Sequence, residues 1–134
     1  MPLLLDSSLW IDFTRSRSPA ELKQFIAPFI LDPQTHLAEP VRFELLRSAR
    51  ANEITLLETQ FATIPCLSTP DTVWASATVL GQGCQRAGRC VASLDLLVAA
   101  IALHHKATVV TFDGDFEAIA AISQLQVQRL RRPI

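Results

Sequence analysis

Short apolar runs alternate with longer stretches of helical spacing along the whole chain. Leu3-Leu4-Leu5 is unbroken apolar sequence and predicts a buried strand that ends at Asp6. Ser7 to Thr14 reads as a short helix. Pro19 suits the first turn of a second helix, where Leu22, Phe25, Ile26, Phe29 and Ile30 form an i, i+3, i+4 stripe expected to face the core. Pro28 should bend or shorten that helix. Thr35 to Ala38 predicts a second strand, and helices follow over about Pro40 to Ala51 and Glu53 to Ala62. Ile64 to Leu67 predicts a third strand. Pro70-Asp71 opens a long helix to about Arg86, punctuated by Gly81 and Gly83, and Gly88 marks a loop. Ser93 is a good N-cap for a helix over Leu94 to His105. Thr108 to Thr111 predicts a fourth strand, Phe116 to about Ile122 a short helix, and Leu125 to Leu130 a final strand, leading into a basic tail of Arg129, Arg131 and Arg132.

Strands separated by helices imply crossover connections. The expected fold is α/β, with a mostly parallel sheet of four to five strands covered by helices. A chain of 134 residues, 49% hydrophobic and 19% charged, fits one domain with an ample core. No apolar stretch approaches the roughly 20 residues of a membrane span. The start lacks a basic leader and a small-residue cleavage site, so a cytoplasmic protein is expected. The cysteines, Cys66, Cys84 and Cys90, are odd in number and lack Cys-x-x-Cys spacing. They read as small buried apolar residues rather than a disulfide or zinc framework.

The strand ends change the picture. Five acidic residues abut strongly apolar runs: Asp6 after the first strand, Glu44 within Val41-Arg42-Phe43-Glu44-Leu45-Leu46, Asp95 within Leu94-Asp95-Leu96-Leu97, and Asp113 and Asp115 after the fourth strand. A buried carboxylate must be paired or bound to a cation. No base lies within four positions of Asp6, Asp95, Asp113 or Asp115. Taken singly, each has a structural explanation: Asp6 and Asp115 as helix caps, Asp95 as a partner of a helix dipole, Glu44 as a solvated helical residue. Glu39 competes with Glu44, because it precedes Pro40, where an extended chain would also place it at a strand end. Taken together, the acids fall at the carboxyl ends of parallel strands, where such sheets bind ligands. Setting the five aside leaves 12 Lys+Arg against 8 Asp+Glu, a balance of +4, and ten of the 12 bases are arginine. An acidic pocket in a mildly basic surface suits a polyanion.

Four segments also carry a resemblance: Asp6-Ser7-Ser8-Leu9-Trp10-Ile11-Asp12-Phe13, Phe43-Glu44-Leu45-Leu46-Arg47, Leu94-Asp95-Leu96-Leu97-Val98-Ala99-Ala100, and Thr111-Phe112-Asp113-Gly114-Asp115-Phe116. In order and spacing they resemble the motifs of PIN-domain ribonucleases, and among those the VapC toxins of VapBC toxin–antitoxin pairs. The resemblance implies a three-layer α/β/α fold and metal-dependent endoribonuclease activity. It implies Asp6, Glu44, Asp95 and Asp113 as the central acidic set and Asp115 as an additional acid. It also implies supporting roles for Ser7, Thr111 and Arg47, a VapB-type antitoxin, and a homodimer. Ser48 departs from the family pattern, which often has glycine there.

An oxygen-only ligand set favours Mg²⁺ or Mn²⁺ over zinc. The histidines do not contribute, since His104 and His105 stand about 13–15 Å along the helix from Asp95. Asp6 and Asp95 would be the main ligands, with Glu44 and Asp113 completing the site or assisting proton removal. The cation would activate water and stabilise the departing oxygen of an RNA phosphodiester. Arg42, Arg47, Arg50, Arg86 and Arg89 are candidate contacts to the RNA backbone. The alternatives are a receiver-like or haloacid-dehalogenase-like domain, which lacks its lysine here, and a catalytically silent PIN-fold interaction module.

Overall fold

The computed structural model describes residues 1–134. Five strands form one sheet in the order β3-β2-β1-β4-β5, and every pairing is parallel. The strands are β1 (Leu3–Leu5), β2 (Thr35–Ala38), β3 (Cys66–Leu67), β4 (Thr108–Thr111) and β5 (Gln126–Arg129). The helices are α1 (Ser7–Thr14), α2 (Ala20–Leu31), α3 (Glu39–Ser48), α4 (Ala51–Phe61), α5 (Thr72–Arg86), α6 (Ser93–His105) and α7 (Asp115–Ala121). No helix is long and apolar enough to cross a membrane.

Successive residues of a strand point to opposite faces. Leu4 and Leu5, like Val109 and Val110, are all fully buried, so both faces of the sheet are covered. With right-handed crossovers, the connections β1–β2 and β2–β3 put α1 to α4 on one face, and the return to β4 and on to β5 puts α5 to α7 on the other. The contacts agree: α1 packs on α2, α3 and α4, and α5, α6 and α7 pack together. The result is the expected three-layer α/β/α fold. Trp10 and Ile26 fill one layer, and Ile101, Phe116 and Ile119 the other, all without exposure. Helices from the two layers also meet, α3 against α6.

Several boundaries differ from expectation, each for a local reason. β3 is Cys66–Leu67 rather than Ile64–Leu67, because Thr63 and Ile64 donate their N–H groups to Gln60 and Phe61 in a turn off α4. Pro28 does not shorten α2, which continues to Leu31. Ser93 is not the N-cap of α6: Ala92 holds that position without a side-chain bond, and Ser93 is the first helical residue. Glu39 is not extended but opens α3, with Pro40 in the first turn, where its missing N–H has no cost. Of the cysteines only Cys84 is buried; Cys66, on an edge strand, and Cys90, in a loop, are exposed.

Candidate metal centre

Strand order reverses between β1 and β4, with the chain progressing outward on either side. A crevice opens at such a switch point, beyond the carboxyl ends of the strands. Asp6 follows β1 and Asp113 follows β4, so the topology alone brings these two together.

Two hydroxyls then lock the strand ends. The Asp6 N–H donates to the Val110 carbonyl at 3.1 Å, a last bond beyond the β1–β4 ladder. Asp6 is the N-cap of α1, and its Oδ1 accepts from the Ser8 N–H at 3.1 Å and the Ser8 hydroxyl at 2.6 Å. Its Oδ2 accepts from the Thr111 hydroxyl at 2.7 Å. Thr111 Oγ1 in turn accepts the Asp113 N–H at 2.8 Å, and Ser8 Oγ accepts the Phe112 N–H at 3.1 Å. Asp113 Oδ1 accepts the Asp115 N–H at 2.9 Å, turning the chain into α7. The expectation named Ser7 as the hydroxyl beside Asp6; Ser8 is the one that bonds it. Helical geometry held this signal, since an N-cap carboxylate receives the N–H of the second or third helical residue.

Asp95 enters from the first turn of α6. Asp95, Asp113 and Asp115 can each place a carboxylate oxygen within 4.8 Å of the other two. Asp6 lies behind this trio, 5% exposed, with both oxygens engaged. Glu44, on α3, is near enough to act on the charge of Asp95. Its rival Glu39 instead accepts a weak bond from the Cys66 thiol, at 3.7 Å. Arg47 follows Glu44 by one turn, is exposed and forms no ion pair. A recess of about 720 Å³ between α5 and the start of α6 contains none of these carboxylates.

The decisive feature is an imbalance. The molecule's two ion pairs join Arg129 to Glu117 and Arg132 to Asp12. None of the five clustered acids has a basic partner. Burial, followed by the charges of Asp113, Asp6, Glu44 and Asp115, pushes the Asp95 carboxyl up to about 7. Burial also raises Asp6, against the opposing hydrogen bonds from Ser8 and Thr111.

Both shifts are upward, and between about pH 4 and about pH 7 the metal-free folded protein holds a proton on Asp95 that the unfolded chain releases. The Asp95 contribution is most favourable below the ordinary carboxyl value and is lost as pH rises to about 7, and the upward shift of Asp6 acts in the same direction. Melting temperatures in EDTA should therefore fall across that window, and a divalent cation should flatten the decline.

Thr111→Val would leave Asp6 Oδ2 and the Asp113 N–H without their partner in a site where Thr111 is fully buried. The expected cost is about 1–3 kcal/mol, while Thr111→Ser should recover most of it. Urea unfolding of the three proteins checks this.

The donor set is all oxygen, clustered and uncompensated, which fits a hard divalent cation. The PIN domain family model matches residues 3–122. The chain belongs to the PIN-domain family. The curated Ribonuclease VapC11 of Mycobacterium tuberculosis is 31% identical over 135 residues, spanning 96% of this chain and 99% of that one, and places it among the VapC proteins. Two solved structures share the fold of this VapC-type chain. VapBC2 from Rickettsia felis, bound to a DNA fragment from its promoter, superposes with a TM-score of 0.77 at 15% identity, covering 97% of this chain and 99% of that one. VapBC-1 from nontypeable Haemophilus influenzae gives 0.74 at 20% identity, covering 96% and 98%.

Proposed function

We propose that this VapC-type chain is a Mg²⁺- or Mn²⁺-dependent endoribonuclease and the toxin of a toxin–antitoxin pair. The observation that carries the chemistry is the trio Asp95, Asp113 and Asp115, closely gathered without a base. The ribonuclease name of its relative and the VapBC titles of its structural neighbours support the biological assignment. The catalytically silent alternative leaves the unpaired negative charge without a purpose.

In this reading Asp95, Asp113 and Asp115 hold the cation. When bound, it supplies Lewis-acid activation of water and neutralises charge developing on the scissile phosphate. Asp6, clamped by Ser8 and Thr111, is a negative charge fixed close to the trio and a further ligand to the cation. Glu44, half-exposed on the other wall, accepts the proton that the attacking water loses. Ser8 and Thr111 hold the β4–α7 turn against the end of β1, so Asp113 does not drift when the site fills. Arg47, one turn from Glu44, lies where it can meet an RNA phosphate. A VapB-type antitoxin and a second copy of the chain are the expected partners, and the cytoplasm the expected location.

The test is direct. Purified protein, freed of any antitoxin, is incubated with a broad panel of structured RNAs in Mg²⁺ or Mn²⁺. Cleavage that disappears in EDTA and in Asp6→Asn supports the proposal. No metal-dependent cleavage across the panel refutes it.

A further inference from the structure

The basic residues that end β5 lie on the same edge of the sheet as the carboxylates. β5 runs parallel to β4 with Arg129 opposite Thr111, and the Leu130 N–H donates to the Thr111 carbonyl at 2.7 Å. The chain beyond β5 therefore passes the mouth of the site.

Each arginine there is arranged differently. The Arg129 guanidinium lies flat over Gly114, the residue between Asp113 and Asp115. A Cβ on Gly114 would sit 3.2 Å from its Cζ and from both terminal nitrogens, so a side chain at 114 would crowd it by a few tenths of an ångström. Arg129 is fixed by Glu117 at 2.6 Å through Nη1. Arg132 stacks on the Phe112 ring, with Cζ 4.5 Å from the centroid, and donates Nε–H to Asp12 at 2.7 Å. Each anchor uses one nitrogen and leaves the others of the fork free. Arg131 is exposed and has no ion pair. Together with Phe112 and Leu130 they line a recess of about 410 Å³.

These arginines do not neutralise the nearby acids. Arg129 takes Glu117 rather than Asp113 or Asp115, and Arg132 takes Asp12. Positive forks held just outside a negative centre match a polyanion with one phosphate at the centre and the next on the rim. We propose that Arg129, Arg131 and Arg132 form a subsite for a backbone phosphate flanking the scissile one in single-stranded RNA, with Glu117 and Asp12 as positioning residues. The proposal rests on the ribonuclease reading above.

A fluorescein-labelled single-stranded oligoribonucleotide of mixed sequence is titrated by anisotropy, in EDTA to prevent turnover, at several salt concentrations. Arg131→Gln removes a charge that supports no folded contact, and Arg132→Lys keeps the charge but loses the fork. Lys106→Gln, at the opposite end of the sheet, controls for net charge. The expected result is several-fold weaker binding by Arg131→Gln, with the slope of log K against log salt reduced by about 0.7. Arg132→Lys should weaken binding with its slope retained, and Lys106→Gln should match the wild type. Arginine variants that bind like the wild type, a loss equalled by Lys106→Gln, or a wild type that binds no RNA would overturn the subsite. Cleavage in Mg²⁺ or Mn²⁺ is scored separately. Intact cleavage with unchanged affinities removes the subsite alone. Weakened binding without any metal-dependent cleavage removes the nuclease reading instead.

Discussion

Asp95→Asn is expected to lower RNA cleavage by about 10²–10³-fold while raising the melting temperature of the metal-free protein. These opposite effects have one cause. Asp95 carries the largest burden of neighbouring negative charge, from Asp113, Asp6, Glu44 and Asp115. Without a cation, removing its charge relieves repulsion. Because the group is only half-buried, solvent screening limits the gain to about 1 kcal/mol above pH 7. With substrate, the same change removes a ligand and a charge fixed where the transition state needs it. Losing one such preorganised group lowers turnover by about 10²–10³-fold. The variant should also lose the stabilisation that a cation gives the wild type, about 2.7 kcal/mol at a hundredfold excess over Kd. Thermal melts with and without Mn²⁺, alongside single-turnover cleavage, check both halves. A destabilised metal-free Asp95→Asn would mean that Asp95 serves the fold rather than the site.

Trp10→Ala should be the most damaging change to the fold. Trp10 is fully buried in α1 and meets Phe61 of α4 edge-on, with ring centroids 5.4 Å apart. Truncation leaves a cavity between two helices that cannot close up on it, at a cost of about 3–5 kcal/mol. For a domain of this size the melting temperature should fall by roughly 10–20 °C. The indole Nε1 is buried without a hydrogen-bond partner. Trp10→Phe, which keeps most of the packing and removes that donor, should therefore cost under about 1.5 kcal/mol. Equal losses in the two variants would show that a single ring cannot replace the indole in this packing.

The apolar runs at Leu3–Leu5 and Thr108–Thr111 were legible as strands because both faces of the sheet are buried, which leaves little polar interruption. The acids were legible because several carboxylates beside such runs, all at strand ends or helix starts and without nearby bases, are together harder to explain than any one alone. What remained hidden depended on neighbours remote in sequence or on exact turn geometry. The end of α4 turns through Thr63 and Ile64, so β3 keeps only two residues. Ser8, rather than Ser7, bonds Asp6, a choice that depends on where α1 begins to wind. The seat of Arg129 over Gly114 joins residues 15 apart in sequence and appears only once β5 is laid against β4. Asp115 looked auxiliary in sequence, yet it stands in the tight trio, because the Asp113 turn brings it round. Asp6, expected as a main ligand, also binds Ser8 and Thr111 through its two oxygens, a clamping role its place in the sequence did not show. Sequence spacing reveals which acids share an edge, whereas the hydrogen bonds that hold each of them come from turns and strands remote in sequence.

The central claim is that these carboxylates form a divalent-cation centre that drives RNA cleavage. Its most direct test is a Mn²⁺ titration of the wild-type protein in which melting temperature and cleavage rate are recorded over the same concentrations. Both should rise over the same range, with the Kd fitted from the growing stabilisation matching the half-saturating concentration for cleavage, and both should collapse in EDTA. Cleavage that persists in EDTA, or a melting temperature indifferent to Mn²⁺ while cleavage responds, would contradict it.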